Sequence, residues 1–296
     1  MNKVAVSRIQ IAKSDILNAL DQGVPVLKLS DLKMLLSNQR SFWRLAKSTT
    51  TQDFIEFLKK QGKLREYHFP FPHRKETRYV WGEQPLLNIL QTLRPNSYFS
   101  HYTAMRMHGL TEQIPKTIYI NHEQHLKSQS SGALEQTNID TAFSRQPRIS
   151  NNVIEFEGNR IYLLNGKNTG QLGVINEPMN DEEGQQVLVR VTGVERTLID
   201  ITVRPVYSGG VYEVLKAFTL AKEQVSVNAL ISMLKKINHI YPYHQAIGFY
   251  LERAGYRSSL LDLVRRLPIE YDFYLDNKMQ DMEYVKAWQL YIPKGL

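Results

Sequence analysis

The sequence predicts an α+β fold in two parts: a small N-terminal domain of helices with one hairpin, then a larger mixed α/β domain with a helical subdomain. Helical and alternating apolar periodicities both recur along the 296 residues, and no internal repeat or low-complexity tract interrupts them. The charge is also uneven. Residues 1–82 hold 15 Lys and Arg against 7 Asp and Glu, whereas residues 83–296 hold 22 of each, so the whole formal excess of +8 lies in the first part. Such asymmetry suits a polyanion-binding module joined to a neutral domain.

The N-terminal elements follow in order. "KSDILNALDQG" reads as a helix capped by Ser14-Asp15, with Ile16, Leu17 and Leu20 on one face and a stop at Gly23. "KLSDLKMLLSN" repeats the design, with Ser30 as its expected cap and Leu32, Met34, Leu35 and Leu36 available for burial. "RSFWRLAK" is expected to add a helical turn or a short helix. Hydroxyl residues then precede a helix from about Thr50 to Gln61, in which Phe54, Phe57 and Leu58 recur at helical spacing and Gly62 supplies the stop. "LREYHF" and "TRYVW" alternate as a hairpin should, around a loop that ends in His73, Arg74 and Lys75. Three helices and a basic-tipped hairpin predict a winged helix-turn-helix over 1–84, followed by a connector over 85–97 that contains a short helix ending before Pro95. The 40–50 stretch is longer than the usual helix-turn-helix turn.

The domain expected over 98–296 opens with a helix, "SHYTAMRMHGL", leading to strand "TIYIN". "NVIEFEGNRIYLL" reads as a hairpin around Glu157-Gly158-Asn159, "QQVLVRV" as a strand and "GVERTLID" as a helix start. Four helices are expected between Val211 and Arg266. Strands follow near "YDFYL" and "YVKAWQLYI".

Composition excludes several chemistries. Zero cysteines rule out disulfides, thiol nucleophiles and thiolate metal sites. No apolar run approaches the ~20 residues of a spanning helix. "MNKVAVSRIQIAKSD" does not read as a secretory signal, so a cytoplasmic protein without membrane partners is expected. "HEQH" (His122 to His125) lacks the helical zinc-protease spacing and reads as a solvated loop. "NGKNTG" (Asn165 to Gly170) lacks the first P-loop glycine and reads as a turn. Arg196 and Asp200 stand four apart, as a surface ion pair would, and Ser208-Gly209-Gly210 reads as a loop and cap. No cofactor or metal motif is present, and no constellation points to an enzyme.

Trp43, Phe54, Phe57, Tyr79 and Trp81 fit core positions better than base-stacking platforms. The candidate DNA-binding residues are Lys47, Ser48, Thr49, Thr50 and Gln52 at the start of the third main helix, with Arg74, Lys75 and Arg78 at the wing. Short hydrogen-bonding groups at a helix start suit base edges, and the cations suit phosphate.

"YFSHYTAMRMHGLTEQIPKTIYIN", "RVTGVERTLIDITVRPVYSGGVYEVLKAF" and "YPYHQAIGFYLERAGY" resemble the AbiEi family of antitoxins and transcriptional regulators from type IV toxin–antitoxin (phage abortive infection) systems. With the N-terminal pattern, the resemblance spans most of the chain. It implies a winged-helix domain, a C-terminal antitoxin domain, and repression of the protein's own promoter through repeated double-stranded DNA sites. A nucleotidyltransferase-like toxin is the functional partner it implies. Two alternatives stay open at the level of sequence: an antitoxin that caps its toxin directly, and a DNA-processing enzyme.

Overall fold

Apolar side chains at helical spacing decide where the first core forms. The computed structural model describes residues 7–126, 133–180, 184 and 186–296. It has a mixed α+β fold whose chain divides into two units, 1–93 with 180–187, and 94–179 with 188–296.

In the first unit α1 (Arg8–Ile11) and α2 (Lys13–Asp21) lead to the short strand β1 (Val26–Leu27), α3 (Leu29–Gln39) and α4 (Thr51–Lys60). A hairpin of β2 (Leu64–Pro70) and β3 (Lys75–Trp81) follows, then α5 (Leu86–Leu90). Strand order is β1-β3-β2, and both pairings are antiparallel. Ile16, Leu20, Leu32, Leu36, Phe54 and Leu58 interlock from α2, α3 and α4, and Leu64 and Trp81 close the core from the hairpin. Trp43 stacks on Phe54 with ring centroids 5.8 Å apart. Each such fully buried apolar side chain contributes about 1.5–3 kcal/mol. All five aromatic residues assigned to the core from sequence are buried.

Local details differ from expectation for physical reasons. α3 starts at Leu29, so Ser30 lies inside it; the Asp31 carboxylate instead accepts the Lys28 backbone N–H at 2.8 Å. Met34 is exposed rather than buried. "RSFWRLAK" forms turns, not a helix, because Arg44 takes a left-handed φ of 50° while Trp43 and Leu45 turn into the core. The connector does hold the short helix expected there, α5, with Ile89, Leu90 and Leu93 buried.

The second unit is built on a six-stranded sheet ordered β6-β7-β5-β4-β9-β8. Its strands are β4 (Tyr98–Phe99), β5 (Thr117–Glu123), β6 (Val153–Phe156), β7 (Asn159–Gly166), β8 (Val174–Asn180) and β9 (Gln186–Thr192). The β6–β7 turn places both Glu157 (φ 47°) and Gly158 (φ 75°) in the left-handed region, the geometry of a tight hairpin turn. Helices α6 (His101–Met107) and α7 (Gln136–Phe143) interleave with these strands. After β9 come α8 (Val194–Val203), α9 (Val211–Leu220), α10 (Val227–Ile237), α11 (Tyr243–Arg253) and α12 (Ser258–Arg265). They pack around Leu198, Val214, Phe218, Leu230, Ile247 and Tyr250. The segment expected as one last strand is two, β11 (Met282–Val285) and β12 (Leu290–Pro293), separated by a 3-10 turn; β10 (Phe273–Tyr274) pairs in parallel with β12. Between them Trp288 is fully buried against Gly248 of α11, where a Cβ would come within 2.2 Å of its ring.

Candidate nucleic-acid interface

Helix α4 owes its start to Thr50. Its Oγ1 accepts the Asp53 N–H at 3.1 Å, and Asp53 Oδ2 accepts the Thr50 N–H at 2.8 Å, a reciprocal capping box. The helix buries Phe54, Ile55, Phe57 and Leu58 and leaves Gln52, Asp53 and Glu56 on its outer face. Gln52 Nε2 donates to Glu56 Oε1 at 3.2 Å across one turn. The loop before α4 is held by Arg40, whose guanidinium donates to Ala46 O at 2.6 Å and to Thr49 O at 2.9 Å. This fixes the backbone that presents Lys47 and Ser48, both exposed. Arg40 is an anchor that sequence reasoning missed, because a side-chain-to-carbonyl tie has no spacing rule.

The hairpin tip runs from Pro70 to Lys75, which are paired in register. Phe69 and Phe71 are buried beneath it. Arg74 is exposed, and its Nε meets Glu76 Oε1 at 3.0 Å. Lys75 is exposed and makes no ion pair among the described residues, and the same holds for Lys47 and Arg44.

Arg78 requires correction. Its side chain is 2% exposed; Nε donates to Thr92 Oγ1 at 2.9 Å, and Nη2 donates to the carbonyls of Thr92 and Leu93 at 2.8 and 3.1 Å. Nη1 meets Glu76 Oε2 at 3.1 Å. Alternation along β3 turns this residue inward, so it pins the segment after the hairpin and offers nothing to a duplex. Thr50 is also committed: its hydroxyl donates to Asp53 Oδ2 at 2.7 Å while accepting the backbone N–H. The exposed members of the predicted set are Lys47, Ser48, Thr50, Gln52, Arg74 and Lys75, with Thr49 half-buried; of these Thr50 is held in its cap.

The second unit brings together other residues singled out from sequence. His122 and Glu123 belong to β5, not to a loop, and Glu123 accepts the backbone N–H groups of Thr169 and Gln171 at 3.0 and 3.1 Å. Arg196 and Asp200 form a buried pair at 2.8 Å instead of a surface one; Arg196 Nη1 also donates to Leu172 O at 2.6 Å. Among the described residues no group of His, Asp and Glu is placed to hold a metal ion, and no helix is long and apolar enough to cross a membrane.

No family model matches the sequence, and no curated protein matches it either. Among solved structures, the crystal structure of the RV2827C protein from Mycobacterium tuberculosis has a similar fold. It superposes with a TM-score of 0.57 at 12% sequence identity, covering 97% of this chain and 93% of that one.

Proposed function

We propose that the first unit is a winged helix-turn-helix that binds double-stranded DNA, and that the chain is an autorepressing antitoxin of the AbiEi type. The observation that carries the DNA-binding reading is the exposure of Lys47, Gln52 and Lys75 within the unit that holds the chain's cationic excess. In this reading α4 enters a major groove. Gln52 and Glu56, one turn apart, address base edges: glutamine suits adenine N6 and N7, and glutamate accepts from cytosine N4. Lys47 and Lys75 contact phosphate, and Arg74 joins them by exchanging its Glu76 partner. The Asp53 carboxylate caps α4 and would face the duplex, which makes a cationic surround all the more necessary. The antitoxin role rests on the sequence resemblance and belongs to the second unit.

Two assays separate the roles. Deleting residues 1–93 should abolish repression of the protein's own promoter in a reporter strain. Co-expression of residues 94–296 with a nucleotidyltransferase-like product of an adjacent gene should retain partial protection from toxicity. Loss of neither activity on deleting its assigned unit would overturn the division of labour.

A further inference from the structure

The second unit contains a cleft of about 690 Å³ that the DNA-binding reading does not use. That volume lies within the range of small-molecule sites, about 300–1,000 Å³. Its lining includes Lys167, Arg148, Arg196 and Arg204, against one carboxylate, Asp200. Asp200 is already paired with Arg196, and Lys167 Nζ donates to the carbonyls of Ile237 and Asn238 at 2.9 and 2.6 Å. Arg148 and Arg204 are exposed, and the side chain of neither makes a hydrogen bond or ion pair among the described residues. The cleft thus keeps more positive charge than the protein neutralises.

Three further features mark it as built. The Nε2 atom of His239 is buried without a hydrogen-bond partner, an unfavourable arrangement unless a ligand or water meets it. His101, also buried on the lining, holds a left-handed φ of 52°, a conformation uncommon for a non-glycine residue. On the same lining, Leu126 and Ile240 are 86% and 72% exposed, and Tyr241 lines the cleft beside Ile240. Cations and exposed apolar side chains on one lining describe a ligand with two ends.

We propose that this cleft binds a phosphorylated small molecule of mononucleotide size, with Arg148 and Arg204 on the phosphate and Leu126, Ile240 and Tyr241 against an aromatic body. The inference concerns the second unit alone and does not depend on DNA binding. Neither arginine side chain has a hydrogen-bond or ion-pair partner among the described residues, so truncating either should leave the fold intact.

Calorimetric titration of the full chain with adenosine 5′-monophosphate, inorganic phosphate and adenosine tests it. Saturable binding of the monophosphate is expected, with inorganic phosphate competing and adenosine binding at least about tenfold more weakly. Arg148→Ala and Arg204→Ala should each weaken the monophosphate by about tenfold or more, the scale of one charge-assisted hydrogen bond. Absence of saturation at millimolar monophosphate would overturn the proposal. So would equal binding of adenosine, or unchanged binding by the Arg148→Ala/Arg204→Ala double variant.

Discussion

Thr50 and Asp53 hold each other at the first turn of α4: the hydroxyl oxygen accepts the Asp53 N–H at 3.1 Å while the carboxylate accepts the Thr50 N–H at 2.8 Å. The same carboxylate oxygen also accepts the Thr50 O–H at 2.7 Å, so the Thr50 hydroxyl has no proton to spare for a base. A residue at the head of the helix proposed to read DNA can serve the helix itself.

Thr50→Ala should therefore cost stability, about 1 kcal/mol as for other N-cap threonines. Its affinity ratio between operator and random DNA should stay at the wild-type value. Urea unfolding and competitive binding on one preparation check both parts. A specificity loss without destabilisation would return Thr50 to the base-reading set.

Arg78→Met should destabilise the first unit by about 3–5 kcal/mol, because it leaves the Glu76 carboxylate buried beside a vacated site. Chemical denaturation measures it. The salt dependence of DNA binding by the folded fraction should match wild type, as expected of a residue that touches no phosphate.

Gly248→Ala should destabilise the second unit by at least about 1–3 kcal/mol, since its Cβ would meet the Trp288 ring at 2.2 Å and neither α11 nor the buried indole has room to shift. Trp288 Nε1 donates to Glu252 Oε2 at 2.8 Å, which holds the ring in place. Tryptophan fluorescence during denaturation follows the effect.

Acid should weaken the second unit before carboxylates titrate. Burial pushes His101 and His239 down to about 4, against about 6.5 in an unfolded chain. A depressed histidine favours the neutral folded form, so between about 6.5 and about 4 the unfolded state binds more protons. Stability is then full above about 6.5 and falls as pH drops through that window, by up to about 1.4 kcal/mol per pH unit for each imidazole. Below about 4 these two groups contribute no further slope. Denaturation at pH values spanning the window should show the decline, and His239→Gln should flatten it.

Elements with strong local signals were legible in the sequence. The α4 periodicity ending at Gly62, the Glu157-Gly158 turn and the α10 face of Val227, Leu230, Ile231 and Leu234 all reflect interactions between near neighbours. β1, β4 and α7 were not legible, because two-residue strands exist only through their partners and α7 buries only Ile139 and Phe143. The direction of Arg78 depended on which face of β3 meets the core, and a basic residue in an aromatic strand gives no sign that Thr92 and Leu93 will receive it. The cleft escaped notice for a related reason. Lys167, His239 and the pair Arg196 and Arg204 from α8 and its C-cap come from three separate segments, and only the fold brings them to one lining.

The central claim, that α4 and the hairpin tip dock on DNA, is tested most directly by competitive binding of the full chain to its own promoter duplex and to random duplex across a salt series. Gln52→Ala should weaken the promoter more than random DNA, by about 1–3 kcal/mol. Lys75→Ala, which removes an exposed cation with no ion-pair partner among the described residues, should weaken both duplexes alike and reduce the salt slope by about 0.9. Arg74→Ala should do less, because Glu76 already holds that guanidinium at 3.0 Å. Wild-type affinity and wild-type salt slope for both Gln52→Ala and Lys75→Ala would contradict the account.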